Sequence, residues 1–156
     1  MTNRTMTGAE ASVAAQSMRQ VVVNNETWEV MYWCAQPPGL WVMSYPNSEF
    51  HGGGPPRLEL TSEEALASRL QHHGWVANEP NVVVELLVDR WCERRALGPL
   101  RCVLTAWPNF GLTDGYGALR NALANVRSIS RGELDSVDTE LAHLAQNGIE
   151  KLLDRK

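Results

Sequence analysis

Four histidines, eighteen carboxylates and three cysteines are the groups in this 156-residue chain that could carry acid–base, nucleophilic or metal chemistry. His51, His72, His73, Glu49 and Asp114 include the residue types that a hydrolase uses, but no spacing ties them together. The sequence holds no GxSxG, HExxH, DxDxDG or Walker pattern. A catalytic triad is assembled in space, however, so a small hydrolase or transferase using a loop histidine and a carboxylate stays open as the alternative function. His72 and His73 are sequence neighbours. On a helix they project to different sides and make a poor pair of ligands, whereas near a helix C-terminus they complement the dipole.

Glu85, Asp89 and Glu93 recur at i, i+4 and fall on one helical face. Paired carboxylates suit acid–base or metal chemistry, yet a row of them on an amphipathic helix is ordinarily its solvated side. Cys34, Cys92 and Cys102 are odd in number and widely spaced, without a CxxC, which argues against a disulfide framework or a zinc site. Inside apolar elements a free cysteine behaves as a small hydrophobe. Residues 46–56 (PNSEFHGGGPP) lack the GK[ST] ending of a phosphate loop and the strand–helix frame of a dinucleotide fold, so they read as a flexible connection. No catalytic residue, metal or cofactor is expected.

The elements that would position these groups centre on residues 100–127. Cys102-Val103-Leu104-Thr105-Ala106-Trp107 is rich in β-formers and has the length of a strand. Pro108 has no N–H for a ladder. Asn109, Gly111, Asp114 and Gly115 supply turn chemistry, and Thr113 or Asp114 can cap the helix that follows. Tyr116, Leu119, Leu123 and Val126 then recur at helical spacing. This predicts a strand, a polar turn and an amphipathic helix.

Upstream, residues 1–8 are polar and unpatterned, and disorder is expected there. Residues 9–19 are Ala-rich and suit a short helix, while Val21-Val22-Val23 can begin a strand. From Thr27 to Cys34 the pattern alternates, with Trp28, Val30, Tyr32 and Cys34 on one side. Pro37-Pro38-Gly39 interrupts it and residues 40–45 resume, which predicts an antiparallel hairpin with a longer loop. Residues 57–60 suit a short strand. Thr61-Ser62-Glu63-Glu64 reads as a capping box with Thr61 at the N-cap, opening a helix that runs to about His73 before Gly74. The most apolar helix is expected over 82–95, striped by Val84, Leu87, Val88 and Trp91. The last helix begins near Ser130 or at Ser136, and is striped by Val137, Leu141, Leu144, Ala145, Ile149 and Leu152. Its first-turn acids and last-turn bases agree with the helix dipole.

These elements predict an α+β fold: residues 20–156 as a single domain preceded by a flexible segment or short helix over 1–19. An antiparallel sheet of three to five strands would carry helices mainly on one face. At 44% hydrophobic and 21% charged the chain has the material for a core. A formal net charge of -4 argues against a nucleic-acid partner and suits a basic protein partner. The sequence shows no apolar run of membrane-span length and no secretory h-region, so a cytoplasmic location is expected. Six tryptophans are many for this length. Most should fill the core, leaving one or two as anchors on a binding surface.

The turn Trp107-Pro108-Asn109-Phe110-Gly111-Leu112-Thr113-Asp114-Gly115-Tyr116 joins aromatic and short polar groups on a loop between regular elements, a setting where function is common. It resembles the P-N-G-L-T-D-G-W turn of small bacterial proteins, some of which act as immunity proteins in contact-dependent and other interbacterial toxin systems. Pro108, Asn109, Gly111, Leu112, Thr113, Asp114 and Gly115 match in order, with Phe110 inserted and Tyr116 in place of Trp. The resemblance covers about a tenth of the chain. It implies a small cytoplasmic α+β protein, not an enzyme, that binds and blocks a toxin domain delivered by a neighbouring cell. On that reading Trp107, Asp114 and Tyr116 are the candidate contact residues. Glu85, Asp89 and Glu93 supply charge complementary to a basic toxin domain.

Overall fold

The computed structural model describes residues 4–35, 38–47, 54–106, 115–129 and 131–155. The α+β class expected from the sequence is the class found, with an antiparallel six-stranded sheet and helices before and after it. Two compact units divide the chain, residues 1–78 and 79–156.

The first unit holds the sheet. Its strands are β1 (Thr5–Thr7), β2 (Arg19–Asn24), β3 (Val30–Ala35), β4 (Pro38–Ser44), β5 (Arg57–Leu60) and β6 (Trp75–Val76), in the spatial order β1-β5-β4-β3-β2-β6. The β3–β4 hairpin is the expected one, but it is tighter. Ala35 pairs with Pro38 and Cys34 with Gly39, so the Pro-Gly pair that was expected to lie in a long loop belongs to the ladder. Thr5–Thr7, expected to be disordered, pair with residues 57–59 as an edge strand. Three residues carry too little pattern to announce a strand whose partner lies some fifty positions away.

Period-2 alternation sorts the strand side chains. Trp41, Met43, Cys34 and Leu58 share a core with Met6 and with Ala11 and Ala15 of helix α1 (Gly8–Gln16). The small residues at i and i+4 bring that helix close to the indole of Trp41, which is 1% exposed. Met31 and Val42, cross-strand partners on the opposite side, are also buried. Helix α2 (Glu63–Leu70) is capped by Ser62, whose hydroxyl accepts the Ala65 N–H at 3.3 Å. Thr61 is therefore not the cap, and its hydroxyl donates instead to the Glu59 carbonyl at 3.2 Å. The helix closes at Leu70, short of His73. Arg69, in its last turn, pairs with Glu29 and lies 3.8 Å from Glu59.

The second unit is helical. Its helices are α3 (Pro80–Arg94), α4 (Leu97–Leu104), α5 (Gly115–Ile129) and α6 (Ser136–Asp154), with a 3-10 turn at Arg131–Glu133. α6 packs on α3 and α5, while α4 packs on α5 and α3, so each helix has two neighbours in a closed set. The expected stripe of α6 faces inward: Val137, Leu141, Leu144, Ala145 and Ile149 are buried, and Leu152, in the last turn, is half-buried. On α3 the buried set widens beyond its stripe to Val82, Val83 and Leu86.

The strand expected over 100–107 is a correction. Residues 97–104 are helical. A short apolar run has no period that separates strand from buried helix, and two local features favour the helix. Pro99 stands in the first turn, where its missing N–H has no intrahelical partner to lose. The Gly98 N–H is taken by a Glu133 carboxylate oxygen at 3.0 Å, so an acid 35 residues downstream satisfies the positive end of this helix. Val103 is fully buried on the inner face, while Leu97 and Leu104 lie outside.

Candidate functional site

The acidic row is carried by α3. Asp89 and Glu93 are exposed and Glu85 is half-buried, because the opposite side of the helix holds Val84, Leu87 and Trp91. The carboxylates lie one turn apart along the surface, a geometry that presents negative charge to solvent. Tyr116 is half-buried in the first turn of α5, a different helix, which packs on α4 and α6. Trp107 and Asp114 lie outside the described residues, as do His51 and Glu49. His72 and His73 are exposed beyond the end of α2. His143 sits 3.1 Å from the Asn147 amide one turn along α6. Among the described residues no three His, Cys, Asp or Glu side chains come together as a metal-ligand group.

A cleft of about 400 Å³ lies between α4 and α5, bordered by Arg101, Cys102, Thr105, Asn121 and Asn125. Cys102 is half-buried there, Cys34 is buried in the sheet core and Cys92 is exposed on α3. No helix among the described residues is long and apolar enough to cross a membrane.

A second polar constellation was not visible in the sequence. Asp138 is fully buried on the first turn of α6. Its carboxylate accepts from Arg90 Nε at 2.9 Å, from Trp91 Nε1 at 3.2 Å and from Arg94. Asp135, the N-cap, accepts from the Asp138 N–H at 2.8 Å and from both arginines at 2.9 Å. Burial by itself would push the Asp138 carboxyl up. Hydrogen bonds from Arg94 and Arg90, with their charges, outweigh that and hold it below the usual carboxylate range. Both oxygens of the buried Asp138 carboxylate accept from side chains of α3, so this cluster clamps α3 to α6. In the sequence Asp138 is a first-turn acid of α6 that suits the helix dipole, with no sign of partners 44 to 48 positions upstream.

The β2–β3 turn is the most unusual surface feature described. Trp28 is 73% exposed, the highest exposure among the described large hydrophobic residues. It also holds φ +64, a left-handed conformation that costs an L-residue about 1–2 kcal/mol. The conformation is held from inside. Asn24, 2% exposed, accepts the Glu26 and Thr27 N–H groups on Oδ1 at 2.9 and 3.0 Å, and its Nδ2 donates to the His73 carbonyl at 3.0 Å. Backbone bonds from Trp28 N–H to the Asn24 carbonyl (3.0 Å) and from Asn25 N–H to the Gly74 carbonyl (2.9 Å) close the turn. Glu29 accepts from Thr27 Oγ1 at 3.1 Å and from Arg69. Alternation had placed Trp28 on one face of a strand with Val30, Tyr32 and Cys34, whereas the strand starts at Val30 and Trp28 belongs to the turn. The available signal was Asn24-Asn25, residues that favour such turns.

Comparison with known proteins places a family on one part of this frame. Residues 11–62 match the family described as Immunity protein 27. No curated protein and no solved structure matches the chain. The matched stretch runs from inside α1 to the cap of α2, and so takes in β2 to β5 and the Trp28 turn. The match supports what the 108–116 turn resembled: the chain is similar to an immunity protein of a toxin–immunity system, with a toxin protein as the implied partner.

Proposed function

We propose that the chain is a non-enzymatic immunity protein that neutralises its toxin by covering the toxin's active site. The observation that carries this reading is the family match over residues 11–62. The toxin domain is basic, and it is met in the cytoplasm of a bacterial cell under contact-dependent attack by a neighbour. Asp89 and Glu93, exposed one turn apart on α3, with Glu85 beside them, supply the complementary field. Opposite charge steers the encounter and speeds association more than it deepens affinity. Trp107, Asp114 and Tyr116 complete the contact surface.

The test begins with the tagged chain used as bait in its native source, the bound protein being identified by mass spectrometry and its toxin domain produced alone. The wild-type chain should abolish that domain's toxicity on co-expression. Asp89→Lys combined with Glu93→Lys should slow association by about tenfold at low salt and flatten its dependence on ionic strength. The melting temperature should stay close to that of the wild type, since both side chains are solvated. If no toxin domain is recovered from cells that make one, or if the recovered domain stays toxic beside the wild-type chain, the reading is wrong.

A further inference from the structure

We infer that Trp28 is the aromatic anchor by which this chain grips its toxin, seated in an apolar pocket of the toxin domain whose rim is basic; the inference rests on the immunity reading above. The first ground is a conflict between residue and place. A bulky side chain at φ +64 is an outlier that glycine or asparagine would relieve, and packing does not explain it, because Trp28 is 73% exposed. Strain that the fold maintains without using it for packing points to a use outside the fold.

The second ground is rigidity. Asn24 commits both the oxygen and the nitrogen of its side-chain amide, accepting from Glu26 and Thr27 in the turn and donating to the His73 carbonyl. The indole therefore stands on a backbone already fixed, and binding need not freeze that backbone, a cost that weakens most loop contacts. Buried Trp side chains are also the commonest energetic centres of protein interfaces. The third ground is charge. Asn25, Glu26 and Thr27 are exposed alongside Trp28, and Glu26 is the acid of that group. An indole flanked by a carboxylate fits an apolar pocket edged by lysine or arginine. Finally, the whole turn lies within the stretch that matches the immunity family.

The experiment uses the full chain and the toxin domain recovered with it, with affinity measured by calorimetry for wild type, Trp28→Ala, Trp28→Gly and Trp28→Phe. Trp28→Ala and Trp28→Gly should each weaken binding by about 30-fold or more, the range of an interface anchor, while Trp28→Phe recovers part of the loss. Thermal melts supply the readout that a merely structural role would not share: Trp28→Gly should match or exceed the wild-type midpoint while binding is lost. Affinities of Trp28→Ala and Trp28→Gly within threefold of a tightly binding wild type overturn the anchor and leave the immunity reading standing. Wild-type chain that elutes as a dimer, with Trp28→Ala monomeric and equally tight toward the toxin, also overturns it by assigning Trp28 to a second copy of the chain. A wild-type chain that fails to bind removes the immunity reading and the anchor together.

Discussion

Removing the Asp138 carboxylate should cost this protein far more than removing the neighbouring Asp135 carboxylate, although both face the same two arginines. Asp138 has a side-chain exposure of 0% against 42% for Asp135. Asp138→Ala leaves Arg90, itself 8% exposed, facing a void where its Nε partner stood at 2.9 Å, and orphans the Trp91 indole N–H. Breaking a buried pair from one side costs about 3–5 kcal/mol. Arg90 keeps Asp135 at 2.9 Å, so the lower part of that range applies, about 3 kcal/mol. Asp135→Ala loses an N-cap worth about 1 kcal/mol and largely solvated ion pairs worth about 0–1 kcal/mol. Urea unfolding at pH 7, followed by far-UV circular dichroism, measures both. With a slope of about 2 kcal/mol/M, the Asp138→Ala midpoint should fall by about 1.5 M and the Asp135→Ala midpoint by about 0.5–1 M. The pH dependence has a definite sign. The folded carboxyl of Asp138 is held below its ordinary value, so its contribution is complete above the unfolded value near ~4 and fades as pH falls through the folded value. The gap between wild type and Asp138→Ala should thus hold from neutrality to about pH 5 and close only below about pH 4. An Asp138→Ala loss under about 1 kcal/mol, or Asp135→Ala as the costlier change, would refute the clamp assigned to this cluster.

Two further outcomes test the description of the first unit and the thiols. Gly74 holds φ +98, and a methyl group there would stand 2.5 Å from Asn24 Oδ1, so Gly74→Ala should lower stability by about 2 kcal/mol or more and speed hydrogen exchange at the Glu26 and Thr27 amides; unchanged exchange would contradict the Asn24 bracket. Iodoacetamide should modify Cys92, exposed on α3, within the time that leaves Cys34 of the sheet core untouched, as read by mass spectrometry of digested protein; equal labelling under native conditions would contradict the core assignment.

What the sequence made legible was local order with a long enough period. The β3–β4 alternation, the α3 stripe and the charged ends of α6 each state an element without help from elsewhere, and each is present. The 100–107 run failed for lack of period and because the decisive partner of its N-terminus, Glu133, is remote. The cap at Ser62 instead of Thr61 is a one-residue shift that composition cannot resolve, since both are hydroxyl residues. Of the candidate contact residues, α3 presents Asp89 and Glu93 as the helical spacing required. Trp28 was assigned by alternation to a strand face because periodicity cannot register a turn conformation, and Asp138 looked like an ordinary first-turn acid because ion pairs across helices leave no mark in sequence.

The strand order has a consequence for how the chain is made. Of the six strands described, β1 is made before the other five, yet its neighbour among them is β5, with Thr5 opposite Glu59 and Thr7 opposite Arg57. The β3–β4 hairpin closes over a few residues, whereas joining β1 to β5 closes a loop of about fifty, an added entropic cost of roughly 2–3 kcal/mol on a (3/2)RT ln n scale. Local pairs form ahead of distant ones. Met6 therefore waits through the synthesis of the whole central hairpin before Leu58 arrives to cover it, and this edge of the sheet is sealed by a segment made some fifty residues ahead of its partner.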